Sequence, residues 1–212
     1  MADRSLRSPA DIANNAFARM GLKMRVGTLL DGSDQAAVML DLYGNARDTM
    51  LREFDYDFAQ ASVSLTVVKS APVGGYFPPN VWSPTTNPPV GFMWEYLYPD
   101  DALKIRMVKP QPGFVINADP RFYPFTEAND KYPNPPSIPT APGWVILTNV
   151  PNAIAVYTRR VTDPGSWDQA FTESLAARLA ALAGPSLVGL DTSKMTVPES
   201  QSARMMSELE DR

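Results

Sequence analysis

The chain has no histidine and no cysteine in its 212 residues. Without histidine it lacks the side chain whose ordinary pKa suits proton transfer near neutral pH. Without cysteine, disulfides, thiol nucleophiles and thiolate metal sites are excluded. The usual zinc ligands shrink to carboxylates, which argues against a structural zinc. Both residue types are scarce in proteins generally, so drift alone could remove them. Either way, the chemistry that remains belongs to carboxylate pairs, lysine, tyrosine, serine and oxygen-ligated metals. Long basic clusters are also missing: Arg159-Arg160 is typical, and the net charge is -4 with a pI of about 4.9. Affinity for nucleic acid comes mainly from Lys and Arg neutralising phosphates, so no large phosphate-binding face is expected. No uninterrupted apolar run approaches the ~18 residues that a membrane span needs, so no membrane partner is expected. The opening MADRSLRSPAD has no apolar core and does not read as a secretory signal.

What is present is ordinary globular composition, with 44% hydrophobic and 20% charged residues. A chain of this length can bury on the order of 70% of its unfolded surface. The order of elements is helix, then strands and loops, then helix. Ser8 as cap, Pro9 at the first helical position and Asp11 in the first turn open a helix. Its apolar positions are Ile12, Ala13, Ala16, Phe17 and Met20, and Gly21 closes it. Asp31-Gly32 is a turn, and Ser33 caps a second helix from Asp34 to about Phe54. The stripe expected on that helix is Ala36, Ala37, Leu40, Tyr43, Met50, Leu51 and Phe54, with Gly44 as an unexplained weak point.

From Ser62 the period changes to two, and Val63, Leu65 and Val67 read as one half-buried strand. Phe92–Tyr98, Leu103–Val108 and Phe114–Asn117 follow as strands, with Pro99-Asp100 as a turn. Trp144–Asn149 and Ala153–Val161 read as a hairpin around Val150-Pro151-Asn152. Residues 71–91 and 129–142 are Pro-rich excursions. Ser166 is expected to cap a helix from Trp167 to about Ala183, with Phe171, Leu175, Leu179 and Leu182 on one face, stopped by Gly184-Pro185. A last, weakly amphipathic helix covers about Glu199 to Asp211. This pattern predicts an α+β protein: a helical layer built from N- and C-terminal helices with a small antiparallel β-sheet domain inserted between them. The expected limits are 1–60 for the N-terminal helices, 61–162 for the inserted domain and 163–212 for the C-terminal helices.

Candidate chemistry is thin. Glu53, Asp55 and Asp57, or Asp100-Asp101, could form an acid pair or ligate a metal. The simpler account is a solvated helix end and a Pro-Asp turn, and it is preferred. There is no GxSxG, P-loop or dinucleotide fingerprint, so neither a cofactor nor a catalytic residue is assigned. Phe54, Tyr56 and Phe58 alternate and are expected to plug the seam between the helical layer and the sheet. The Pro-rich loops carry Tyr76, Phe77, Trp82, Tyr123, Phe125 and Tyr132 where a lone domain has few ways to bury them. Long loops of this kind are usually functional, and exposed aromatics mark interfaces, so these six are the expected protein-protein contacts. The segment from Lys194 to Arg212 would be marginal as a free helix, and its methionines suit an adaptable docking surface.

Several short motifs, in order, resemble one family. They are Asn14-Asn15-Ala16-Phe17 with Gly21; Asp31-Gly32-Ser33 with Ala36; and Tyr43, Arg47, Leu51-Arg52 and Phe54 through Ala59. Further along come Tyr96-Leu97-Tyr98-Pro99-Asp100-Asp101-Ala102-Leu103, then Val156-Tyr157 through Asp163, Trp167, Phe171 and Leu175 to Leu182. The series is similar to tail tubular protein A, the head-to-tail adaptor family of short-tailed bacteriophages of the T7 type. The sequence departs from it in carrying Tyr56 where a Trp is usual and in the Pro-rich loops, which match no family pattern. The resemblance implies a non-enzymatic virion protein assembled in the host cytoplasm. It forms a ring, typically of twelve copies, beneath the portal protein, with the next tail component (nozzle or tail tube) on the far side. Genomic DNA passes through the lumen during ejection without sequence-specific binding, which suits an acidic chain. The C-terminal helix would dock on the portal through Met195, Arg204, Met205, Met206, Leu209 and Arg212. A neighbouring connector or head-completion protein of a longer-tailed phage is the related alternative. A carboxylate-dependent cell-wall hydrolase using Glu53, Asp57 or Asp100 is the alternative from another class.

Overall fold

A computed structural model of the chain describes residues 8–71, 91–111, 123–130 and 143–187. They fall into two compact units: a helical one that takes the chain up to Phe58 and again from Val161, and a unit of strands over Ala59–Arg160. With three helices and two antiparallel sheets among the described residues, the protein is α+β. The expected strand over Phe114–Asn117 and the expected helix over Glu199–Asp211 lie outside the described residues.

In the helical unit, α1 spans Pro9–Arg19. The Ser8 hydroxyl accepts from the Asp11 N–H at 3.2 Å, and the Asp11 carboxylate accepts from the Ser8 N–H at 2.9 Å. This reciprocal cap satisfies two N–H groups that the first turn would otherwise leave without partners, and its hydrogen bonds hold the Asp11 carboxyl below the usual range. After α1, the left-handed Gly21 turns the chain, and Asn14 pins the return. Its amide donates to the Val26 C=O at 3.0 Å and accepts from the Val26 N–H at 2.9 Å.

Helix α2 spans Asp34–Glu53 and buries Ala36, Met39, Tyr43, Ala46, Met50 and Leu51. Ala37 and Leu40, placed on the stripe by sequence, are exposed. Three- and four-residue steps from Ala36 reach either Met39 or Leu40, and periodicity alone does not choose between them. Helix α3 spans Gln169–Leu187, and α1 and α2 both pack on it. Its start differs from expectation. Asp168 serves as the cap, its carboxylate accepting from the Phe171 N–H at 2.6 Å, while Ser166 belongs to a preceding 3-10 turn, Pro164–Ser166. Its end differs too, since the helix runs through Pro185 to Leu187. A proline so close to a helix end disrupts few backbone bonds, and Pro185 is exposed. Phe171, Leu175 and Leu179 are buried as expected, but Leu182 is exposed.

The other unit holds β1 (Gln60–Ser64), β2 (Val67–Ser70), β3 (Trp94–Leu97), β4 (Ala102–Pro110), β5 (Phe125–Asp130), β6 (Gly143–Thr148) and β7 (Ala153–Arg159). They form a three-stranded sheet in the order β1-β7-β4 and a four-stranded one in the order β2-β3-β6-β5. Two expectations fail here. The single strand read over Ser62–Val67 is two strands, which break at Leu65-Thr66 and pass from one sheet to the other. The expected hairpin does not exist either: β6 pairs with β3 and β5, and β7 with β1 and β4. Val150-Pro151-Asn152 is therefore a corner between sheets, turned by Asn152 in the left-handed conformation, φ 48°. Proximity in sequence suggests pairing, but burying both inner faces requires the chain to change sheets.

The core draws on both sheets: Tyr96 from β3, Ile105 and Val108 from β4, Ile146 from β6, and Ala153, Ala155 and Tyr157 from β7, with Val150 at the corner. The Tyr96 hydroxyl donates to the Val150 C=O at 2.7 Å and accepts from the Ala153 N–H at 3.4 Å, so one buried side chain secures the corner. Strand β4 departs from simple alternation. Irregularities between Ala102 and Lys104 and between Ile105 and Met107 shift its register, so Met107 is exposed and Val108 is buried.

Candidate functional site

Two of the candidate carboxylates, Glu53 and Asp101, hold structural contacts within their own units. Glu53 at the end of α2 accepts from Arg178 of α3 at 2.7 Å, an ion pair between two helices at a partly exposed position. Asp101 accepts from the Tyr157 hydroxyl at 2.9 Å, and its C=O accepts from the Arg160 N–H at 2.8 Å. These bonds fasten the Pro99–Asp101 turn to the end of β7. Burial, then the hydrogen bond and charge of Asp101, push the Tyr157 phenol up to about 12. Glu127 of β5 bridges to β4, accepting from the Ile105 N–H at 3.3 Å beside the second irregularity. Each of these groups supports a turn, a helix pair or a strand edge. Among the described residues, no group of three or more Asp, Glu, His or Cys could hold a metal ion. No described helix is long and apolar enough to cross a membrane.

Among the described residues, one charged pair is buried. Lys69 of β2 faces Glu95 of β3, with Nζ and Oε1 3.4 Å apart and both side chains 3% exposed. Leu147 lies opposite Glu95 in β6 and is buried on the same face, while the next pair, Tyr96 and Ile146, is buried on the other, so this sheet buries side chains on both faces at its centre. The sequence signals neither feature, because Lys and Glu ordinarily mark a solvated face.

The aromatic residues at the end of α2 form a connected group within the helical unit. Tyr43 stacks near Trp167 at 6.5 Å, Trp167 meets Phe171 at 5.0 Å, and Phe171 meets Tyr56 at 5.0 Å and Phe58 at 5.2 Å. Phe54 joins through Tyr56 at 5.9 Å. The Trp167 indole N–H donates to the Val161 C=O at 3.2 Å, anchoring the return from the strands. Edge-to-face ring pairs of this kind add about 0.5–1.5 kcal/mol each beyond burial. Burial leaves the Tyr43 hydroxyl with no hydrogen-bond partner and pushes its pKa up, the Arg47 charge opposing.

Of the six aromatic residues expected at contacts, Tyr123 and Phe125 are described, and both are half-buried against the core of the strand unit. Tyr76, Phe77, Trp82 and Tyr132 lie outside the described residues, as do Met195, Arg204, Met205, Met206, Leu209 and Arg212. Among the described residues, the exposed large apolar side chains lie at other positions, led by Leu30 at 80% and Trp144 at 56%. Neither stands out by sequence. Leu30 sits in a connection, and Trp144 is the second residue of β6, whose later residues are all buried. An open groove of about 470 Å³ between α1 and α3 is lined by Asn15, Ala18, Arg19, Glu173 and Ala176. No protein-family model matches the chain, and no curated protein sequence is significantly similar to it.

Proposed function

We propose that the chain is a structural subunit of a tailed bacteriophage virion, the adaptor ring between portal and tail. One observation carries the reading most. The sequence-distant motifs that resemble the adaptor family, Asn14–Phe17, Tyr43, Leu51–Phe58 and Trp167–Leu182, come together as one helical unit. Asn14 pins its loop, and Tyr43, Tyr56, Phe58, Trp167 and Phe171 join in one aromatic group. The motifs thus serve one packed core, as a shared architecture requires. Glu53 and Asp101 support a helix pair and a turn, which favours this reading over a hydrolase that uses them.

In this proposal the partners are the portal protein, neighbouring copies of the chain in a ring, the next tail component, and genomic DNA that slides through the lumen. The test is to mix the purified chain with the portal protein encoded by the same genome and image the complex by electron microscopy. A ring of the chain beneath the portal is the expected result. A chain lacking residues 194–212 should lose that binding and keep its folded core. Failure of the intact chain to bind the portal, or hydrolysis of peptidoglycan that disappears in Glu53→Ala or Asp100→Ala, would overturn the proposal.

A further inference from the structure

The described strand edges are not equally protected. An exposed edge pairs readily with another strand, and folded proteins blunt edges with bulges, inward charges, proline or cationic side chains. Strand β4 has two register irregularities, three cations (Lys104, Arg106 and Lys109), Pro110 at its end, and the Glu127 carboxylate on its Ile105 N–H. Strand β2 has an irregularity between Val67 and Lys69 and a buried lysine. Strand β5 carries Glu127. Strand β1 has none of these: Gln60-Ala61-Ser62-Val63-Ser64 is uncharged, free of proline, and regular along its whole pairing with β7. All of it is exposed except Ala61, which is half-buried.

The register shows which main-chain groups face outward. The Leu65 N–H donates to the Ala153 C=O at 2.9 Å, one step beyond the Ser64–Ile154 pair. Facing pairs in an antiparallel ladder alternate between bonded and non-bonded. Ala61, Val63 and Leu65 therefore bond to β7, and Gln60, Ser62 and Ser64 turn their N–H and C=O groups away from it. Val63 lies opposite the core residue Ala155 yet remains 38% exposed, and no described strand flanks it beyond the edge.

We infer that β1 is a pairing edge for a second copy of this chain, joined antiparallel across a two-fold axis at Ser62. The strand is complementary to itself in that register. Gln60 faces Ser64, Ala61 faces Val63, and Ser62 faces its own copy, so polar meets polar, apolar meets apolar and no charges oppose. About six main-chain hydrogen bonds would form, and the exposed flank of Val63 would be covered. A second copy offers only one other undefended described edge, its own β1. The contact closes on itself, so it is distinct from the head-to-tail contacts that a ring needs and stands or falls separately from the adaptor proposal.

The test is sedimentation of the intact chain over a wide concentration range, without any portal protein. Reversible monomer–dimer behaviour is expected, with the Gln60, Ser62 and Ser64 amides exchanging more slowly with deuterium as concentration rises. Ser62→Pro removes an outward N–H at an edge where proline does not break the ladder to β7, and should weaken the dimer by about tenfold or more. Ser62→Lys and Ser62→Glu should each be monomeric, because like charges meet at the axis. An equal mixture of the two should dimerise again, which a merely structural role for Ser62 would not produce. A chain that stays monomeric throughout, variants that associate like the parent, or a mixture that stays monomeric would each overturn the inference.

Discussion

Tyr96→Phe and Tyr43→Phe each remove one oxygen from a buried ring, and the two changes should move stability in opposite directions. The Tyr96 hydroxyl makes a short bond to the Val150 C=O and a long one to the Ala153 N–H, with all three residues buried. Phenylalanine leaves both main-chain groups facing a ring edge with no water to replace the lost partner. A buried polar group stranded in this way costs about 1–3 kcal/mol. The 3.4 Å bond adds little, so a loss of about 2 kcal/mol is expected. For a unit of roughly a hundred residues each kcal/mol is worth about 4–8 °C, so melting of the strand unit should fall by roughly 8–16 °C. The Tyr43 hydroxyl is desolvated without a partner. Removing it relieves that penalty and keeps the ring contact with Trp167, for an expected gain of about 1 kcal/mol. Calorimetry of both variants, with urea unfolding followed by circular dichroism, reads both signs. If Tyr96→Phe melted within about half a kcal/mol of the parent, or Tyr43→Phe were clearly destabilising, the assignment of partners to these hydroxyls would be wrong.

Gly44 lies inside α2, and a Cβ added there meets nothing within 4 Å. Gly44→Ala should therefore stabilise by about 0.5–1 kcal/mol, seen as a rise in urea midpoint with unchanged slope. Lys69→Met, which leaves the buried Glu95 carboxylate without its ammonium, should cost about 3–5 kcal/mol, whereas Lys69→Met with Glu95→Leu should be close to neutral. A double variant as unstable as the single one would show that the pair is not the unit that matters. In alkali, Tyr157 keeps its proton up to about pH 12 when folded, whereas the unfolded chain loses it near pH ~10. The folded state then binds more protons, so the contribution of Tyr157 is whole below pH ~10 and is lost as pH rises through about 12. Tyr157→Phe should flatten the fall of stability in that window, measured by unfolding at stepped pH.

Local signals in the sequence determined the fold class of the protein and the start of its first two helices. Ser8, Pro9 and Asp11 specify α1, and Ser33 specifies α2, because capping is chemistry between residues three apart. The Pro99–Asp101 turn and the missing histidine and cysteine are equally plain. Tertiary structure decided what depends on distant partners. Met39 and not Leu40 faces inward because α3 fixes the rotation of α2, and Asp168 and not Ser166 caps α3 because Trp167 must first reach Val161. Strands β6 and β7 lie in different sheets although only four residues separate them, because the core needs Ile146 on one face and Ala155 and Tyr157 on the other. The open edge of β1 is visible only once every other strand has found its neighbours. A five-residue run of Gln, Ala, Ser and Val carries no mark of its own, and what distinguishes it is that no described strand pairs with it on one side.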